Sequence, residues 1–138
     1  MSETTEALAN VPLFKSLNQR SLSRLEKFVR ERHFAPGDTV FAEGEEGVGF
    51  FLITKGRVEA TRAGTKLSEL GAGDFFGEMA LLDGHRRSAT VKALEPTDTL
   101  ALMRADFIAE LKQSPDIAIE MLEVLSRRVR DLDERLSH

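Results

Sequence analysis

At 138 residues the chain is long enough to bury a substantial hydrophobic core within one domain, and its formal net charge of -4 weighs against a large nucleic-acid surface. It has no cysteine, which excludes disulfides, thiolate metal sites and cysteine-ligated iron–sulfur clusters. No apolar run approaches the length of a membrane span, and the acidic, polar N-terminus lacks a signal core, so a cytoplasmic protein without a membrane segment is expected.

All ten glycines fall between Gly37 and Gly84, while both flanks are glycine-free and rich in Leu, Glu and Arg. That partition predicts helices outside and a many-turned β region inside. In residues 6–30, Leu8, Val11, Leu13, Phe14, Leu17, Leu22, Leu25, Phe28 and Val29 fit two short amphipathic helices. They break near Pro12 and restart at a cap around Asn18. Residues 33–104 read as short strands separated by turns at Pro36-Gly37-Asp38, Glu43–Gly47, Lys55-Gly56 and Ala63-Gly64. The strand candidates are Val40-Phe41, Phe50–Ile53, Val58–Thr61, Lys66–Leu70, Thr90–Leu94 and Thr99–Leu102. Leu67 and Leu70 do not alternate, which predicts a bend or bulge there. Such a series suggests an antiparallel roll or barrel.

Residues 106–138 read as two helices, the first from Asp106 to Lys112 and the second opening at Ser114-Pro115-Asp116, with Ser114 as N-cap. Ala118, Leu122, Leu125, Val129, Leu132 and Leu136 follow heptad spacing, with Arg128 and Asp133 placed for an interhelical ion pair. A homodimer through residues 118–136 is expected; the alternative is one amphipathic helix packed on its own roll.

The densest segment is Phe76-Gly77-Glu78-Met79-Ala80-Leu81-Leu82, followed after a polar turn by Arg87-Ser88-Ala89-Thr90. A glycine-led turn of helix presents unpaired N–H groups, and an arginine nearby adds a planar fork of donors, both suited to phosphate. Glu78 calls for hydroxyl donors on the same ligand, which points to a nucleotide with its ribose. Taken singly, Glu78 suits any helix N-terminus, Arg87 any strand edge and Gly77 any tight turn. Their conjunction is specific.

Phe-Gly-Glu-x-Ala-Leu, with Arg-Ser-Ala-Thr beginning nine residues after the glutamate, resembles the phosphate-binding cassette of the cyclic nucleotide-binding domain family. That family includes the catabolite activator protein, protein kinase A regulatory subunits and cyclic-nucleotide-gated channels. The resemblance covers nearly the whole chain and implies one domain over residues 1–138. Its implied fold is α+β: an antiparallel eight-stranded β roll, jelly-roll-like, with the cassette at 76–90 and helices at both ends. By the same resemblance Arg87 would pair with the exocyclic phosphate oxygens and Glu78 would accept the ribose 2′-hydroxyl. Backbone N–H groups near Ala80, Ser88 and Ala89 would complete the cradle around Gly77 and Met79. Arg86 has no family role and reads as a solvated turn residue, with His85 in the same exposed turn.

Ala60 and Leu67 match positions that face the base in relatives, and equally suit ordinary roll core. Arg128 matches an arginine beside the site on the activator's long helix; the nucleotide, Asp133 and water are all open to it. Where the activator has a threonine and a serine that bond adenine, this chain has Leu132 and Asp133, which implies an apolar cap over the base. The nine-residue spacing is more like that of the kinase subunits and some channels. Ser88 stands where members preferring cGMP often have threonine, so cAMP is the expected ligand and cGMP the alternative.

A DNA-binding regulator of this family needs a helix-turn-helix after the long helix. These residues supply none, so no nucleic-acid partner is expected for them, while an effector domain or protein is. Three scattered histidines fall short of a cupin-type metal site, and no nucleophile elbow or Walker motif appears; neither an enzyme nor a cofactor is expected. The rival is a degenerate roll used only for dimerisation or docking, which has no need for Glu78 and Arg87 together.

Overall fold

The computed structural model describes residues 3–15, 17–47 and 49–136. Ser137 and His138, at the end of the expected helical segment 106–138, lie outside them. Two compact units emerge: residues 28–108, and residues 1–27 with 109–138.

The first unit is the β roll. Its strands are β1 (Arg30–Phe34), β2 (Thr39–Phe41), β3 (Gly49–Lys55), β4 (Arg57–Arg62), β5 (Thr65–Gly71), β6 (Phe75–Phe76), β7 (Thr90–Ala93) and β8 (Thr97–Met103). They form two four-stranded antiparallel sheets, β1-β8-β3-β6 and β2-β7-β4-β5. Side chains alternate across a strand, so Val58 and Ala60 of β4 and Val91 of β7 turn inward while their neighbours face out. They meet Phe41, Phe51, Ile53 and Ala101 in one buried cluster, bordered by Phe34, Val40, Leu70, Phe76 and Met103. β3 is buried along both faces from Gly49 to Ile53, hence its unbroken apolar run.

Two strands carried no readable signal. The helical stretch expected to reach Arg30 ends earlier, and Arg30–Phe34 forms β1, paired only with β8. As an edge strand with exposed Arg30, Glu31, Arg32 and His33, it has no apolar alternation to reveal it. β6 is two residues long, pairing Phe75 and Phe76 with Leu52 and Phe51. The expected irregularity in β5 is present: Ala60 faces Ser68 and Thr61 faces Lys66, which leaves Leu67 as the extra residue.

The second unit is helical. Its elements are α1 (Glu3–Ala9), α2 (Gln19–Glu26), the end of α4 (Arg104–Gln113) and α5 (Pro115–Leu136). Asn18 caps α2 as expected, its side-chain oxygen accepting the Ser21 N–H at 2.9 Å. The Asn18 amide also donates to Glu120 (2.9 Å), and Arg24 pairs with the buried Glu110 carboxylate at 2.6 Å, tying α2 to α5 and α4. α4 starts two residues before the expected Asp106. Ser114 precedes α5, and its carbonyl accepts the Ile117 N–H; the expected side-chain cap is replaced by a hydroxyl bond to Glu110. The buried carboxylate is the stronger acceptor for that hydroxyl.

α5 carries two apolar stripes side by side. Ile117, Met121 and Val124 are buried. Leu122, Val129, Leu132 and Leu136 of the heptad seam are exposed, with Leu125 half-buried. Among the described residues no helix is long and apolar enough to cross a membrane.

Candidate functional site

The segment after β6 reverses direction at Gly77, whose φ of +85° lies in the left-handed region that glycine enters without penalty. Glu78 and Met79 follow, and then α3 (Ala80–Asp83), a single turn closed by Gly84 at φ +65° with its N–H on the Ala80 carbonyl. At the far end of that turn Arg104 donates to the Leu82 carbonyl at 2.9 Å, a cation placed at a helix C-terminus.

The return arm is laced to the loop after β2. Gly44 donates to the Arg87 carbonyl and Arg87 to the Glu45 carbonyl, each at 2.8 Å. The Arg86 guanidinium reaches the Gly44 carbonyl and the Arg62 guanidinium the Ser88 carbonyl, again at 2.8 Å. Arg86, expected as a solvated turn residue, is thus exposed but bonded. These contacts hold Arg87–Ser88–Ala89 opposite Gly77–Ala80.

Between the two arms opens a cavity of about 450 Å³, within the roughly 300–1,000 Å³ usual for small-ligand sites. Gly77, Glu78, Met79, Ala80, Arg87, Ser88 and Ala89 all line it, as do His85 and Arg86. Of the expected base-pocket residues, Ala60 lines it. Leu67 does not: as the bulged residue of β5 it is 47% exposed, and Leu70 contributes to the wall instead. Arg128 and Leu132 belong to α5 in the other unit, where Arg128 is half-buried and Leu132 exposed.

The remaining wall is formed by Phe76 and Asp83 of the cassette and, from outside it, Phe41, Phe75 and Val91.

Arg87 is the exceptional group. It is only 8% exposed, and its Nε lies buried without a hydrogen-bond partner. One terminal nitrogen donates to the Gly49 carbonyl. Burial lowers its pKa from the usual arginine value, and the negative charge of Glu45 acts in the opposite direction. A buried cation with an unused donor, at the edge of an apolar cavity, suits a ligand with an apolar body and one anionic group.

Roll, cassette turn and buried arginine together are the plan of a nucleotide-binding module. The chain belongs to the cyclic nucleotide-binding domain family, whose model matches residues 31–114. It is 34% identical to the cyclic AMP receptor protein of Thermus thermophilus over 91% of this chain and 60% of that protein. It is 40% identical to a cyclic nucleotide-gated potassium channel of Rhizobium etli over 82% of this chain and 32% of the channel. The chain therefore spans less than two thirds of the length of these relatives. The crystal structure of the N-terminal domain of a transcriptional regulator from Streptomyces coelicolor superposes with a TM-score of 0.86 at 31% identity, covering 96% of this chain and 98% of that one.

Proposed function

We propose that the chain is a regulatory sensor domain, spanning residues 1–138, that binds cAMP in preference to cGMP. The buried, incompletely bonded Arg87 guanidinium beside the Gly77–Glu78 turn is the observation that carries this reading. Arg87 would pair with the exocyclic phosphate and Glu78 accept the ribose 2′-hydroxyl, while the N–H groups of Ala80, Ser88 and Ala89 complete the cradle. The base would rest on Ala60 and Leu70, with Arg128 and Leu132 brought over it from α5. Ser88 in place of threonine supports cAMP, as does the name of the Thermus relative. Calorimetric titration of both nucleotides tests this: cAMP binds more tightly than cGMP. No heat from either at millimolar concentration rejects the sensor and favours a ligand-free scaffold.

Binding would draw the cassette turn inward and repack α4 and α5 over the base, by differential affinity for two states. The exposed stripe of α5 supports a homodimer through residues 118–136, which would carry that movement to an effector domain or protein in the cytoplasm. Sedimentation of Leu125→Asp beside the parent checks the seam. The parent sediments as a dimer and the variant at half its mass; a monomeric mass in both rejects the dimer.

A further inference from the structure

The cassette contains the arginine but not the group that stations it. The Arg87 guanidinium carbon lies 4.2 Å from the centroid of the Phe41 ring, well inside cation–π range. Phe41 is on β2, 46 residues earlier in the chain, and reaches Arg87 through the pairing of β2 with β7, where Phe41 faces Val91. Its ring is itself fixed. It meets Phe76 edge-on at 5.2 Å and Phe51 at a tilt at 6.2 Å, so it cannot swing away without opening a three-ring cluster. The Gly49 carbonyl takes one terminal nitrogen of Arg87, and the other runs close by Gly77.

This arrangement answers a physical problem. Among the described residues Arg87 has no ion-pair partner, yet it is almost wholly withdrawn from water. A guanidinium in that position needs compensation that leaves its donors available, and an aromatic face supplies it without consuming any. We propose that Phe41 is a positioning residue for the phosphate arginine. Its ring keeps the planar guanidinium oriented, desolvated and against the cavity before a ligand arrives. The entropy of ordering a long side chain is then lost on folding and not on binding. The proposal rests on the nucleotide-binding reading above and extends it to a residue outside the cassette.

The test is a double-mutant cycle in cAMP affinity combined with NMR of the ligand-free parent. Phe41→Leu keeps an apolar side chain and removes the aromatic face. It is expected to weaken cAMP by about three- to thirtyfold when Arg87 is present. In an Arg87→Gln background, followed by NMR titration at millimolar nucleotide, the same change costs twofold or less. The Arg87 side-chain resonances of the parent, assigned by their loss in Arg87→Gln, are expected upfield from the ring current of Phe41. This measurement needs no Phe41 variant to fold. Equal losses in both backgrounds, or Arg87 resonances at their unshifted position, overturn the role of Phe41 while nucleotide binding by the parent stands. A parent that binds neither nucleotide overturns this proposal together with the sensor reading.

Discussion

If Arg87 holds the phosphate as proposed, Arg87→Ala is expected to weaken cAMP binding by about ten- to a hundredfold or more, read by calorimetry against the parent. A cyclic phosphate carries one negative charge, and Arg87 is the buried cation on the cavity wall. A charge-assisted bond to such a group is worth about 1.5–3 kcal/mol, and its loss leaves the phosphate in a low-dielectric pocket without a buried cation. The same substitution releases the Gly49 carbonyl from its guanidinium partner, so some loss of stability accompanies it. The two effects separate experimentally, because unfolding midpoints are measured without nucleotide and affinity on the folded fraction. Binding within twofold of the parent would show that the anion is held elsewhere.

Gly77→Ala damages both the fold and the site. A non-glycine residue in the left-handed region costs about 1–2 kcal/mol. Here a further penalty follows, because a Cβ at this position lies 2.5 Å from a terminal nitrogen of Arg87 and 2.5 Å from the Gly49 carbonyl oxygen. The carbonyl belongs to β3 in the middle of its sheet and has little room to retreat, so the arginine must move. Forcing atoms into a packed region costs about 1–3 kcal/mol more. The expected destabilisation is about 2–5 kcal/mol in urea unfolding, with nucleotide affinity reduced in the protein that remains folded. A variant as stable as the parent and of equal affinity would mean that the Gly77–Gly49–Arg87 contact is not maintained in solution.

These expectations join residues that the chain keeps far apart, and the legibility of the sequence followed the same division. Strands with a one-sided apolar pattern, such as Val58–Thr61, were readable because burial on a single face imposes a period of two. β1 was not, because Arg30, Glu31, Arg32 and His33 take their order from pairing with β8 and bury no apolar face. The bulge in β5 was visible as a break in alternation, but its effect was not. It displaces Leu67 outward and leaves the wall to Leu70. Heptad spacing in α5 marked an apolar stripe that the structure leaves exposed, although spacing could not distinguish it from the adjacent buried stripe of Ile117, Met121 and Val124.

Local sequence by itself determined the cassette: a glycine for the left-handed turn, one helical turn after it, and an arginine nine residues beyond Glu78. Each depends on backbone conformation or short-range spacing, which neighbouring residues dictate. Only the tertiary structure decided the environment of that arginine. Phe41 and Gly49 come to Arg87 from β2 and β3, and no local pattern encodes which ring a buried cation will stack on or which carbonyl it will meet. Strand pairing makes that choice, and burial gives it energetic weight, because a charge withdrawn from water must be compensated by whatever the fold has placed beside it.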